Sequence, residues 1–342
     1  MPATALPQPF SCLQAARLTG LVGLCLAGLV GLLASAGRAQ AQTTWPLKPI
    51  RLVIGFAPGG AADFVARSIA DPLGRALGQT VVVDNRAGAG SSLAADFVAK
   101  APADGYTLLI ASPSSISVNP SLNHRLSYSA KDLLPVTRLT TSPLVLAVNP
   151  AAGIASLQEL ISIAKAKPGF LNYTTSGNGS APHLGAAHFS KVAGVDMVHI
   201  PYKGGAPAIQ AVIAGDAQLT FGTPPSVLPM VQAGRLKALL VTSTQRSPLV
   251  PDVPGTAEAG LAGFSLSFWY GFFVPVGTPP EVVKKIFDAA QQVMQRSEVK
   301  AALAREGTEV ALSKSPEDFA AFLNLDNPFW AKLVKDAGLK AD

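Results

Sequence analysis

The sequence predicts an α/β protein of two domains with a cleft between them. Three observations predict it. Short apolar strands alternate with helical stretches along most of the chain. Two glycine-rich corners, Ala57–Gly60 and Ser176–Ser180, each join a strand to a helix in matching places of the two halves. The stretches after Glu281 are helical and have no sheet of their own, so the chain must return to complete the first domain after building the second.

The first 41 residues stand apart. They hold no Asp or Glu, and their only charges are Arg17 and Arg38. Leu18–Ala34 is almost continuously apolar, and Ala39-Gln40-Ala41 is a small-residue cleavage signal. This is the layout of an export leader. The run Leu18–Ala36 is also long enough to span a bilayer marginally, but the cleavage signal favours removal after Ala41. Both cysteines, Cys12 and Cys25, lie in the leader. The mature chain is therefore expected to hold no disulfide, thiol nucleophile or thiolate metal site. A chain of this length buries enough surface to do without them.

In the first half, strands are expected at Ile50–Ile54, Val81–Val83 and Thr107–Ala111, and helices at Ala61–Gly74 and Ser91–Lys100. This alternation argues for a largely parallel sheet. The second half repeats the pattern. Its strands are Leu144–Val148, Leu171–Thr174, Val198–Ile200, Gln218–Phe221 and Ala238–Val241. Its helices are Ser156–Lys165, His183–Ala193, Ala206–Ala214 and Ser226–Ala233. Ser156 with Glu159 makes a capping box. Ser265–Val274 then reads as an aromatic strand. Helices follow at Glu281–Arg296, Val299–Glu306 and Pro316–Ala337, with Pro328 expected to kink or split the last one. The expected division is a leader over 1–41, a first domain over 43–142 plus 262–342, and a second over 143–261.

The glycine corner after the first strand invites a nucleotide reading, and the residues exclude it. "FAPGGAAD" has no Lys for a phosphate, so it is not a P-loop, and Asp63 in the first helical turn would repel pyrophosphate. Neither Gly55 with Gly59-Gly60 nor Gly88–Leu93 completes a dinucleotide fingerprint. No nucleophile elbow is present, because Ser180 sits between Gly179 and Ala181. His183 and His188 are five apart, one too many for two ligands on one helix face. No metal, cofactor or catalytic group is expected. Without the leader the chain keeps 25 of its 27 basic residues and all 21 acidic ones. That net charge of +4 comes without a basic run, which argues against nucleic acid.

A strand–glycine–helix corner offers free backbone amides and the positive end of a helix dipole. Two such corners on one cleft would suit a carboxylate with no cationic side chain. Three further turns after strands are candidates for the lining: Ser112–Ser117, with Ser112, Ser114 and Ser115; Pro201–Gly205, with Tyr202 and Lys203; and Gly222–Ser226, with Thr223. Asp63 is expected to brace the first helical turn rather than meet an anion.

Over residues 45–340 the sequence resembles the periplasmic solute receptors of tripartite tricarboxylate transporters, the Bug proteins. The stretches that carry the resemblance include "WPLKPIRLVIGFAPGGAADFVAR", "KPGFLNYTTSGNGSAPHLGA" and "VDMVHIPYKGGAPAIQAVIAGDAQLTF". It implies a two-domain, type II periplasmic-binding-protein fold that closes on a small carboxylate, aliphatic or aromatic, without chemistry. It implies a periplasmic location and a membrane permease as partner. A sensor on the same scaffold is the alternative, and an exported enzyme a more distant one. The carboxylate-binding loop of the family matches Phe56, Ala57, Pro58, Gly59, Gly60 and Asp63. Its second-domain loop matches Ser176, Gly177, Asn178 and Gly179. Where many relatives carry an acidic residue, this chain has Gly222-Thr223, which disfavours a ligand with an amino group.

Overall fold

A computed structural model describes residues 45–122, 126–261 and 263–339. The leader with both cysteines, and His124, lie outside the described residues. All elements below belong to one unit that begins at Pro46.

Two sheets organise the chain. The first contains β1 (Ile50–Ile54), β2 (Val81–Asn85), β3 (Thr107–Ala111), β4 (Leu133–Pro143), β10 (Ser267–Pro275) and β11 (Glu309–Val310). Their spatial order is β11-β4-β10-β3-β1-β2. The second contains β5 (Val145–Val148), β6 (Asn172–Thr175), β7 (Val198–Pro201), β8 (Leu219–Gly222) and β9 (Lys237–Val241) in the order β7-β6-β8-β5-β9. Each sheet with its helices forms a lobe.

The expectation of a largely parallel first sheet needs correction. β2, β1 and β3 are parallel, but β10 runs antiparallel to both β3 and β4. The cause is the chain path. β4 leaves the first lobe, and β10 returns to it between β3 and β4. The eleven-residue β4 was not expected at all, since "LLPVTRLTTSP" has two prolines and no alternation. Pro135 is accommodated because the β4–β10 pairing shifts register between Phe272 and Phe273, the residue opposite it.

Helices flank both sheets: α1 (Ala61–Leu77), α2 (Ser92–Ala99), α3 (Leu157–Ala166), α4 (Ala181–Ala193), α5 (Gly205–Ala214) and α6 (Pro224–Gln232), then α7 (Pro280–Met294), α8 (Ser297–Arg305) and α9 (Pro316–Asp336). α1 runs past Pro72 to Leu77 and stops at Gly78, whose φ of 75° is the left-handed conformation that ends helices. α9 is not split by Pro328. Pro328 and Asn324, whose carbonyl loses its donor, are both exposed, so water can serve that carbonyl.

The second lobe packs Leu146, Leu160, Phe189, Phe221 and Phe264 on one side of its sheet. Val145, Ile209, Val227 and Val241 pack on the other. In the first lobe Trp269, Phe273 and Phe319 form the equivalent cluster with Val53 and Leu109. Two chain crossings join the lobes, at Leu144 and between Thr242 and Leu266. Buried Thr242 ties them together. Its amide donates to the Leu144 carbonyl at 2.9 Å, and its hydroxyl accepts from the Leu144 amide at 2.7 Å and donates to the Leu266 carbonyl at 2.6 Å.

Candidate functional site

The strands of both lobes end at a shared cavity. It is lined by Phe56, Gly60, Ala61, Ala62, Ser112, Ser114, Phe268 and Tyr270 of the first lobe. The second lobe supplies Ser176, Ala181, Pro182, Gly205, Ala208, Ile209, Thr220, Phe221, Gly222 and Thr223. No Lys, Arg, His, Asp or Glu is among these residues. The space open to the centre of a water-sized molecule is about 20 Å³, enough for about one water.

Helices α1, α4, α5 and α6 and the short helical segment Ser114–Val118 start at this cavity, and their first-turn amides are used differently. α1 begins after Gly60 and α5 after Gly204, and neither has a side-chain cap. The amides of Ala61, Ala62 and Gly205 have no acceptor among the described residues. α4 is already satisfied: Ala181 N–H donates to Ser114 Oγ at 3.2 Å, Pro182 has no N–H, and His183 N–H donates to Ser180 Oγ at 3.3 Å. α6 opens with Pro224-Pro225, and Ser226 N–H donates to the Thr223 carbonyl. Free donors therefore remain at α1 and α5, one helix from each lobe, and at the uncapped start of the short segment Ser114–Val118, whose Ser114 and Ser115 amides have no acceptor among the described residues.

The α1 and α5 starts meet. A Cβ placed on Gly60 would lie 3.5 Å from the Gly205 amide nitrogen, and one on Gly204 would lie 2.9 Å from that of Ala57. Glycine is required at 204 for this close approach. A backbone hydrogen bond from Ala57 N–H to the Lys203 carbonyl, 3.0 Å, joins the lobes beside them.

The first corner is held open by Asp63. Its carboxylate accepts from Gly59 N–H at 3.0 Å, from Arg67 Nε at 2.9 Å and from Asn85 Nδ2 at 3.1 Å, and Asn85 also donates to the Phe56 carbonyl. Burial pushes the Asp63 carboxyl up, but these three donors outweigh it and hold it below the usual carboxylate range. Asp63 braces the loop and does not line the cavity.

The second corner was expected to mirror the first, and it does not. Ser176 lines the cavity, but the glycine amides are spent locally. Gly177 N–H donates to Thr175 Oγ1 at 3.3 Å, Gly179 N–H to His183 Nδ1 at 3.3 Å, and Ser180 N–H to the Gly177 carbonyl. Gly177–Gly179 instead pack on the first lobe. A Cβ on Gly90 would lie 2.2 Å from the Asn178 carbonyl oxygen, and one on Gly179 only 1.9 Å from Asn119 Oδ1. Asn119 Nδ2 in turn holds the carbonyls of Ala89 and Gly90 at 3.2 and 2.9 Å. Behind this corner His183 and His199 stack with ring centroids 3.9 Å apart, and His199 Nε2 is 2.6 Å from Thr175 Oγ1. Burial, with His183 alongside, pushes the His199 imidazole down to about 3.

Of the other expected residues, Phe56, Gly60, Ser112, Ser114 and Thr223 line the cavity, while Ala57, Pro58, Gly59 and Ser115 do not. Tyr202 and Lys203 stand at the seam, Lys203 through its carbonyl and with an exposed side chain. Sequence reasoning named the Pro201–Gly205 turn but not Gly205 as its donor, and it missed Phe268 and Tyr270 as lining residues. Gly204-Gly205 between β7 and α5 repeats the strand–glycine–helix grammar, so its signal was present. Phe268 and Tyr270 alternate along β10 and face one side, 5.4 Å apart, while Trp269 turns away to donate to Asp326. Ser112 Oγ is buried with no partner among the described residues, and burial alone, with no hydrogen bond, raises the Tyr270 phenol. Leaving a buried hydroxyl such as Ser112 Oγ unpaired costs about 1–3 kcal/mol. Among the described residues no group of His, Cys, Asp and Glu is placed to hold a metal.

Comparison with known proteins places this geometry in context. The profile of the tripartite tricarboxylate transporter family receptor matches residues 65–339. Protein BugT of Bordetella pertussis is 35% identical over 328 residues, covering 95% of this chain and 98% of BugT. Among solved structures, R. palustris Rpa4515 with adipate is 33% identical with a TM-score of 0.83, over 86% of this chain and 99% of that one. MatC (Rpa3494) from Rhodopseudomonas palustris with bound malate is 30% identical with a TM-score of 0.80, over 85% and 100%.

Proposed function

The chain belongs to the tripartite tricarboxylate transporter receptor family, and from that premise we propose that it captures a small carboxylated solute between its lobes and passes it, chemically unchanged, to a membrane permease. One observation carries this reading: a helix start from each lobe meets its counterpart at the cavity with amide donors unspent. Each helix start is equivalent to about half a positive charge. Two facing starts repel, and a carboxylate between them cancels both and accepts from both. The anion therefore favours the joined arrangement of the lobes over a parted one, which is differential affinity acting as a closing force.

A cavity with room for about one water cannot admit a solute unless the lobes part. The crossings bound by Thr242 are the natural hinge, with 43–142 plus 262–342 moving against 143–261. Ordered water completing the carboxylate shell fits a corner built of glycine. The adipate and malate named with the two similar structures are carboxylates, which supports the same class here. The cavity hydroxyls also support capture over conversion. Ser114 Oγ accepts from the Ala181 amide and Ser112 Oγ bonds to no described residue, so neither is paired with a base that would activate it. Export by the leader, cut after Ala41, would put this receptor in the periplasm.

A thermal-shift screen of the mature chain tests the reading. A carboxylate at a hundred times its Kd should stabilise the fold by about 2.7 kcal/mol. Neutral solutes that shift the melt while carboxylates do not would refute it.

A further inference from the structure

We propose that the solute is a monocarboxylate whose far end carries a neutral hydrogen-bonding group, a hydroxyl or carbonyl, on an apolar body. This rests on the carboxylate reading above and narrows it.

The first argument concerns where negative charge can be held. Of the helix starts at the cavity, α4 donates its two first-turn amides to Ser114 and Ser180, and α6 opens with two prolines. The α1–α5 pair keeps donors and forms one pole where Gly60 and Gly205 meet, and the short segment Ser114–Val118 keeps the Ser114 and Ser115 amides on the first-lobe wall. A second carboxylate would find no facing pair of helix starts and no cationic side chain among the lining residues. Its desolvation would be offset only by the short Ser114–Val118 start and neutral hydroxyls. An ammonium group fares no better, because no acidic residue lines the cavity.

The second argument concerns what the far wall asks for. Ser112 and Tyr270 are 3% and 6% exposed, both line the cavity, and neither hydroxyl has a partner among the described residues. Gly271 pairs with Ala111, so Tyr270 and Ser112 are neighbours across the β3–β10 ladder. β1, which feeds the glycine corner, lies beside β3 on its other side. Strand spacing then sets this hydroxyl pole about 5–10 Å across the sheet from the carboxylate pole. Phe56, Ile209, Phe221 and Phe268 supply apolar wall to the same cavity. Serine and tyrosine hydroxyls both donate and accept, so together they read a hydroxyl or a carbonyl. The neutral far end sets this chain apart from the similar structures named with adipate and malate, both diacids.

Isothermal titration of the purified chain with two matched pairs tests the proposal: 6-hydroxyhexanoate against adipate, and 4-hydroxybenzoate against terephthalate. Within a pair only the far group changes. In at least one pair the hydroxy acid should bind at least about tenfold more tightly than the diacid. Tyr270→Phe and, separately, Ser112→Ala should each weaken that hydroxy acid by about tenfold. Each variant should lower the ratio of hydroxy-acid affinity to that of the matching acid without the hydroxyl, hexanoate or benzoate, by about tenfold, a contrast that loss of folding would not produce. Diacids that bind as tightly or more tightly in both pairs would overturn the proposal and leave the carboxylate reading standing. Variants that weaken both kinds of acid alike, or neither, would remove the assigned far pole. Failure of all four acids to bind would remove the carboxylate reading with it.

Discussion

Two glycine corners that look alike in sequence are put to opposite uses. The corner "APGG" gives the Ala57 amide to Lys203 and the Gly59 amide to Asp63, but no side chain caps α1, so the Ala61 and Ala62 amides that follow stay unspent. "SGNGS" before α4 spends its amides on Thr175, His183 and its own turn, and uses its glycines to let the first lobe approach. One corner is a donor and the other a contact surface. The difference lies in the residues around the glycines rather than in the glycines themselves: a caging carboxylate for the first, a threonine hydroxyl and an imidazole for the second. The donor that faces the first corner is Gly205, which the sequence presents only as part of "PYKGGAP".

The sharpest way to break this contrast is to fill the donor corner. Gly60 has φ −91°, so a side chain there is not strained, and its Cβ has room. The branches of valine would fall in the gap toward Gly205. Gly60→Val should weaken carboxylate binding by at least about a hundredfold, about 2.7 kcal/mol, with a near-native melting temperature. Titration calorimetry and a thermal melt on one preparation would check both halves. Unaltered affinity would mean that this corner holds no ligand.

Filling the contact corner should do something different. Gly179 has φ 68°, and a Cβ there would strike Asn119 Oδ1. Gly179→Ala should cost stability through backbone strain, about 1 kcal/mol or more, and weaken binding about tenfold by holding the lobes apart. Asn119→Ala added to that variant should recover part of the affinity, because it removes the collision. No recovery would show that the loss comes from strain within the second lobe and not from the seam.

Much of this was legible in the sequence. The strand–helix alternation, both glycine corners and the bracing role of Asp63 follow from local chemistry. What was hidden depends on distant pairing. β4 was unreadable because a proline opposite a register shift breaks any pattern. "SLSFWYGFFV" is apolar on both faces of its strand, so nothing local says that Phe268 and Tyr270 face the cavity while Trp269 faces the core. That the α4 amides are already taken could not be seen either, since Ser114 is 67 residues away from Ala181.

A smaller effect sharpens the donor side. Asp63→Asn keeps the shape but removes the charge that pairs with Arg67 and weakens the acceptor for Gly59. The Arg67 side chain is 56% exposed, so solvent screens the pair. A loss of about 1 kcal/mol is expected, mostly from the buried hydrogen bonds. The sign with pH follows from the lowered carboxyl. The wild-type advantage is fully present above the unfolded carboxylate range and disappears as pH falls through the lower folded value. Urea melts of both proteins between pH 7 and pH 3 should converge at the acid end.

The smallest effect belongs to the contact corner and runs through its histidines. His199 is held neutral down to about 3 by burial and by the ring of His183, whereas the unfolded chain protonates near 6.5. Its folded pKa is depressed, so the unfolded state binds the extra proton first. Stability from this group is therefore complete above about pH 6.5 and is lost progressively as pH falls toward 3. A cationic His199 would also lose any acceptor role at Nε2 toward the Thr175 hydroxyl, the group that receives the Gly177 amide. The donor corner has no histidine and is not exposed to this loss. Between pH 7.5 and pH 5 the wild-type melting temperature should drop further than that of His199→Gln, which keeps a hydrogen-bonding side chain but cannot protonate there. Parallel profiles would show that the imidazole accepts a proton without disturbing the corner, and that the second lobe's contact surface is set by its glycines alone.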